Sequence, residues 1–209
     1  MMEKKIDRIN SYLDELYPNP KCELDYNSDY ELLIAIVLSA QSTDSRVNKV
    51  TKVLFDKYDL NGLKEAQLSD LEDIIRSVGT YTVKSKYIKE ISTELVDKYN
   101  SIVPRDRDLL MSLPGVGRKT ANVFLSEYYN DPYIGVDTHV ERVSKRLKLA
   151  NKSDSVLDVE LKLQKKFDKD VWAKRHLQLV LFGRYKCKSI KPICADCKLK
   201  DICIEKRKS

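Results

Sequence analysis

Leu113-Pro114-Gly115-Val116-Gly117-Arg118-Lys119-Thr120-Ala121 separates two helical patterns, Arg107 to Ser112 before it and Arg118 to Asn130 after it. Pro114 ends the first pattern, and two glycines permit positive φ, so the chain can reverse within about four residues. The second helix then opens with backbone N–H groups that have no intrahelical partner. A tight turn feeding a helix N-terminus is a ready anion site, suited to a DNA phosphate. The pattern is a helix–hairpin–helix, and it points to sequence-independent duplex binding through Gly115, Val116, Gly117 and Arg118.

Arg118 and Lys119 fall in the first turn, where the helix macrodipole disfavours positive charge. Either an anion comes close to offset them, or they serve a purpose other than stability. Ala121, Leu125 and Tyr128 recur at helical spacing as an apolar stripe. Lys119, Asn122 and Ser126 share the opposite face, which predicts that Lys119 projects outward. Spacing alone leaves Lys119 equally a phosphate contact or a nucleophile.

Helical periodicity extends on both sides of the hairpin. Ile6, Ile9, Leu13 and Leu16 form one amphipathic face, and Pro18-Asn19-Pro20 breaks that helix. Tyr30 to Ala40 is apolar nearly all round, as expected of a helix at the centre of a bundle. Further helices are expected at Thr43 to Tyr58, at Ser69 to Val78 with Ser69 and Asp70 as caps and Gly79 as the stop, and at Tyr81 to Tyr99. Downstream, Val136-Asp137-Thr138-His139-Val140 opens another helix, with Asp137 placed as its N-cap. Capping is the reading the sequence favours there, and a carboxylate so fixed is compatible with stabilising positive charge. His139 and His176 read as structural.

No stretch of five or more residues alternates as a strand, and Gly 6 plus Pro 6 in 209 residues is too few for a turn-rich β fold. The expected fold class is therefore all-α. The longest apolar run, Leu32 to Leu38, is far short of the roughly 20 residues that a membrane span needs. Charges in the first residues argue against an export signal, so a cytoplasmic, nucleoid-associated location is expected.

Four of five cysteines fall in one stretch, as Cys187-x6-Cys194-x2-Cys197-x5-Cys203, with Cys22 far away. Clustered thiols in a reducing compartment read as a metal site, either tetrahedral zinc or iron–sulfur. Zinc modules pair their ligands in two short knuckles, and only Cys194 and Cys197 form one, which leans the reading towards iron–sulfur. Residues 181–209 hold nine basic and three acidic side chains, which equals the net +6 of the whole chain. Such asymmetry suits a polyanionic partner or, equally, a solvated end.

Taken together, Leu38-Ser39-Ala40-Gln41-Ser42-Thr43-Asp44, the hairpin, Val136-Asp137-Thr138-His139, Gly183-Arg184-Tyr185 and the four cysteines resemble the endonuclease III family of DNA glycosylases with lyase activity. The resemblance spans nearly the whole chain. It implies a two-domain α-helical fold: a helical barrel at 21–133 carrying the hairpin at 107–130, and a cluster domain of 1–20 plus 134–209 with its ligand loop at 187–203. It implies a 4Fe–4S cluster on Cys187, Cys194, Cys197 and Cys203, with Lys188 and Lys191 of the basic loop facing DNA.

By the same resemblance Lys119 is the nucleophile and Asp137 its acidic partner. Gln41 fills the space that a flipped nucleotide vacates, although a polar residue leading into the next helix would look the same. Thr80 stands at a wedge position that is often larger and apolar, and Asp44 lies nearby. The implied activity is removal of oxidised pyrimidines from duplex DNA and cleavage 3′ to the abasic site by β-elimination. The implied partner is double-stranded DNA with damaged or abasic sites, bound by a monomer. Two alternatives remain: a monofunctional mismatch or adenine glycosylase, which generally lacks a lysine at the position of Lys119, and a non-catalytic metal-stabilised DNA-binding module.

Overall fold

The computed structural model describes residues 2–205, and every regular element among them is helical. In chain order these are α1 (Met2–Leu16), α2 (Asp29–Ser39), α3 (Asp44–Lys57), α4 (Leu60–Glu65), α5 (Leu68–Ile75), α6 (Tyr81–Lys98), α7 (Arg107–Ser112), α8 (Arg118–Tyr129), α9 (Thr138–Arg146), α10 (Val156–Gln164) and α11 (Trp172–Leu181). A 3-10 turn (Lys169–Val171) precedes α11, and a π-helix (Phe182–Lys186) follows it. Lys206, Arg207 and Lys208 of the basic C-terminal stretch lie outside the described residues.

The chain divides into two compact units, Cys22–Tyr129 and Met1–Lys21 together with Asn130–Ser209. In the first, α2 is the central rod. Every side chain from Leu32 to Leu38 is buried, because α3, α6 and α8 all pack against it. Ser28 caps its start by accepting from the Glu31 amide. Asp29 adds a tie from its own first turn, accepting from the Val103 amide at 2.8 Å. The all-round apolarity of α2 thus reflects burial on several sides.

In the second unit Ile9, Tyr12 and Leu13 of α1 join Val140 and Val143 of α9, Val159 and Leu163 of α10, and Leu179 of α11 in one core. Buried Arg175 anchors α11 to α1 through two bonds to Asp14, at 2.8 and 2.9 Å. Gln178 donates to Leu13 O, Tyr17 O and Asp14, which satisfies the end of α1. The guanidinium, with Lys174 beside it, holds the Asp14 carboxyl well below the usual carboxylate range, and partial burial opposes this.

Three local readings are corrected. Helix α5 begins at Leu68 behind Gln67, so Ser69 and Asp70 lie inside its first turn and do not cap it. It ends at Ile75, and the left-handed residue beyond is Thr80, with φ 56°, in place of the expected Gly79. In the hairpin only Gly115 takes positive φ, at 74°.

Candidate active site and metal-ligand pocket

Asp106 sets the hairpin's first arm, accepting from the Asp108 and Leu109 amides at 2.9 Å as the N-cap of α7. The turn closes when the Val116 amide donates to Leu113 O at 3.1 Å. Val116 also turns its side chain inward, with 5% exposed, so its part is to shape the turn. A Cβ on Gly115 would stand 2.4 Å from the Tyr87 ring, so both φ and space demand glycine there. Gly117 differs. Nothing lies within 4 Å of its missing Cβ, so the fold itself does not need glycine at that point, whereas a backbone approaching from outside would.

Helix α8 has no acidic residue in its first turn. Arg118 and Lys119 therefore meet the positive end of the dipole with no offsetting carboxylate from their own helix. Lys119 is exposed. The face it was expected to share is not open, since Asn122 and Ser126 are buried at 0% and 5%. The apolar stripe is Ala121, Phe124 and Leu125, all buried, while Tyr128 is 39% exposed and stacks on Phe124. Lys119 is thus an exposed first-turn residue on a helix whose inner face is buried.

Gln41 and Thr80 are both exposed, and both take the left-handed conformation, at φ 57° and 56°. Ser42 Oγ accepts from the Gly79 amide at 3.2 Å, which places the two turns side by side. Thr43 caps α3, accepting from the Arg46 amide, so Asp44 is the first helical residue and not the cap. Lys84 sits behind these turns. It is 4% exposed, and its Nζ donates to Leu38 O at 2.9 Å and Ala40 O at 2.5 Å. Burial pulls its pKa below the usual lysine value. The sequence reading passed over Lys84, although its spacing put a lysine on the buried stripe of Ile88, Ile91 and Leu95.

In the other unit Asp137 caps α9, its Oδ1 accepting from the Val140 amide at 2.7 Å. The same helix grips the cysteine segment at its far end. Arg142 donates to Cys187 O at 3.2 Å and Gly183 O at 2.7 Å. Arg146 donates to Cys187 Sγ at 3.3 Å and Lys188 O at 2.7 Å, and it pairs with Glu205 at 2.6 Å. Gly183 lies in the π-helix where a Cβ would come within 2.8 Å of His139 Cβ, so that wider turn packs directly on α9. The glycine of Gly183-Arg184-Tyr185 carried this signal in the sequence, and composition alone could not reveal it.

All four clustered cysteines line one pocket, with Leu147, Phe182 and Lys186 among its walls. Among the described residues, no three His, Cys, Asp or Glu side chains are arranged to hold a single metal ion. Four thiols lining one space are a donor set that either tetrahedral zinc or an iron–sulfur cluster can use. Lys188, Ile190 and Lys191 are exposed on the loop between Cys187 and Cys194, and Lys191 has φ 51°. Not every basic residue here is open to an outside partner, since Lys186 pairs with Asp196 and Lys198 with Glu15.

Residues 34–169 match the model of the HhH-GPD superfamily of base excision DNA repair proteins. Endonuclease III of Bacillus subtilis (strain 168) is 46% identical over 206 residues, which cover 98% of this chain and 94% of that protein. The chain belongs to the endonuclease III family. A solved structure of a trapped endonuclease III–DNA covalent intermediate, an estranged-adenine complex, is 48% identical with a TM-score of 0.94, covering 98% of this chain and 97% of that one. A non-covalent endonuclease III–DNA complex matches with the same identity and TM-score. Every regular element among the described residues is helical, in keeping with that structural match.

Proposed function

We propose that this protein is a bifunctional DNA glycosylase and abasic-site lyase of base excision repair, acting on oxidised pyrimidines in duplex DNA. The observation that carries the reading is an exposed first-turn lysine behind a glycine hairpin, in a chain similar along its length to a protein trapped covalently on DNA. A target base inside the stack is out of reach, so the nucleotide must first leave the duplex. Gln41 and Thr80 occupy the space it vacates. The Gly115–Arg118 turn and the first-turn amides of α8 hold the phosphate backbone, and Lys191 adds a contact from the other unit.

The chemistry follows from the two named side chains. As the glycosidic bond lengthens, positive charge develops on the sugar, and the Asp137 carboxylate stabilises it. The neutral Lys119 amine attacks C1′, and the base departs with the bonding pair and takes up a proton. The amine attached to C1′ opens the sugar and becomes a Schiff base. That makes the C2′ proton acidic, and its loss expels the 3′ phosphate by β-elimination.

Cys187, Cys194, Cys197 and Cys203 would hold a 4Fe–4S cluster, a group that brings structural cross-linking with no open ligand position for substrate. The donor set fits it, since four thiols face one cavity and Arg146 supplies an N–H to one sulfur. No helix among the described residues is long and apolar enough to cross a membrane, and we place the enzyme in the cytoplasm with the nucleoid DNA, as a monomer. Borohydride reduction on an abasic duplex tests the reading. The wild type should give a covalent protein–DNA adduct and Lys119→Ala none. An adduct of equal yield from Lys119→Ala would remove Lys119 as the nucleophile.

A further inference from the structure

A lysine at the position of Lys84 calls for an explanation, because its neighbours on the inner face of α6 are Ile88, Ile91 and Leu95, each 0% exposed. A buried ammonium is unfavourable unless its donors are all met. Here two of its three N–H donors are met by Leu38 O and Ala40 O, the open carbonyls where α2 ends, and a positive charge also suits that end of the dipole. The next residue along is Gln41, which leaves the helix in the left-handed region with its side chain exposed. Glycine or asparagine normally takes such a place.

The second turn is fixed to the first. The Gly79 amide is held by Ser42 Oγ at 3.2 Å, and the missing Cβ of Gly79 would lie 3.3 Å from Gln41 O. Thr80 then takes positive φ despite being β-branched, and α6 begins behind it when the Lys84 amide donates to Thr80 O at 3.1 Å. Two strained, exposed, non-glycine tips stand side by side, and one residue ties both, by its side chain to α2 and by its backbone to Thr80. Strain of this kind persists only where the surroundings over-determine it.

We infer that Lys84 is a positioning residue that makes Gln41 and Thr80 a single rigid two-pronged wedge, entering the duplex together as the damaged nucleotide leaves. The inference rests on the glycosylase reading above. Thr80 is short, so Gln41 must do most of the filling, and its aim depends on where the end of α2 is pinned. Losing the Lys84 ammonium frees both carbonyls and lets the Gln41 turn relax, while the hairpin and its phosphate contacts stay unchanged.

Lys84→Met keeps the length of the side chain and removes its donors, and Lys84→Arg restores charge and donors. For Lys84→Met, single-turnover excision of 5-hydroxyuracil from a duplex should fall at least tenfold. The fluorescence rise of a 2-aminopurine beside the lesion, which reports unstacking, should fall with it. Affinity for undamaged duplex should stay within twofold of the wild type, and Lys84→Arg should recover most of the excision rate. If Lys84→Met no longer melts cooperatively, Ser42→Ala, which cuts only the tie to Gly79, should show the same split at about threefold.

Unchanged excision in a folded Lys84→Met, or in Ser42→Ala, overturns the inference. So does a parallel fall of excision and undamaged-duplex affinity, which marks general loosening. A wild type that neither excises the base nor forms an adduct with abasic DNA refutes the glycosylase reading itself, which is a separate failure.

Discussion

One substitution can separate the cap that Asp137 forms from the catalytic role proposed for it. Its carboxylate caps α9 at 2.7 Å from the Val140 amide, and asparagine caps as well as aspartate does. Asp137→Asn should therefore melt close to the wild type yet lose most of its base-excision rate, since the negative charge is gone. Asp137→Ala should lose that rate and about 1 kcal/mol of stability besides. Urea unfolding beside single-turnover excision checks both. An asparagine variant of full activity would leave Asp137 with capping alone.

Asp14 is a residue whose contribution depends on pH. Arg175, with 6% exposed, would be left without its carboxylate partner if Asp14 were neutral. The pairing lowers the Asp14 pKa in the folded state. A depressed carboxylate stabilises the fold above its unfolded pKa of about 3.9, and that contribution fades as pH falls below this value. Urea midpoints should therefore drop for Asp14→Asn at pH 7, and the gap to the wild type should narrow towards pH 3. Because Asp14 is itself half-exposed, solvent screening keeps the effect modest.

At the scale of elements the hairpin offers a controlled pair. Gly115→Ala meets both a left-handed φ and the Tyr87 ring, and it should cost more than the roughly 1 kcal/mol typical of point changes. Gly117→Ala enters open space and should shift stability by less than about 0.5 kcal/mol, yet weaken duplex binding by blocking close approach to a phosphate. Melting and fluorescence anisotropy on both variants decide it; equal affinity for Gly117→Ala and wild type would show that nothing approaches there.

These two glycines also show how far the sequence could be read. Helix–turn–helix order, the buried α2 and the Asp137 cap were legible because each rests on local rules, namely periodicity, all-round apolarity and a side-chain acceptor before a helix. Which glycine needed positive φ was not legible, because the Tyr87 ring that decides it comes from α6. Asn122 and Ser126 were misread as an open face for a similar reason: polar residues are buried when neighbouring elements cover them, and spacing along one helix does not report its neighbours. Short α4 and α10 escaped notice, since six and nine residues give periodicity little room.

At the scale of the whole molecule the order of the chain has a consequence for synthesis. Residues 22–129 form one uninterrupted unit with its own buried rod, so they can fold as soon as they clear the ribosome. Helix α1 emerges earliest but must wait, because Asp14 and Leu13 meet Arg175 and Gln178, and Arg8 pairs with Asp201, some of the last residues described. The four thiols emerge late as well. The nascent protein therefore carries α1 without its core partners until the residues of α9, α10 and α11 have been made.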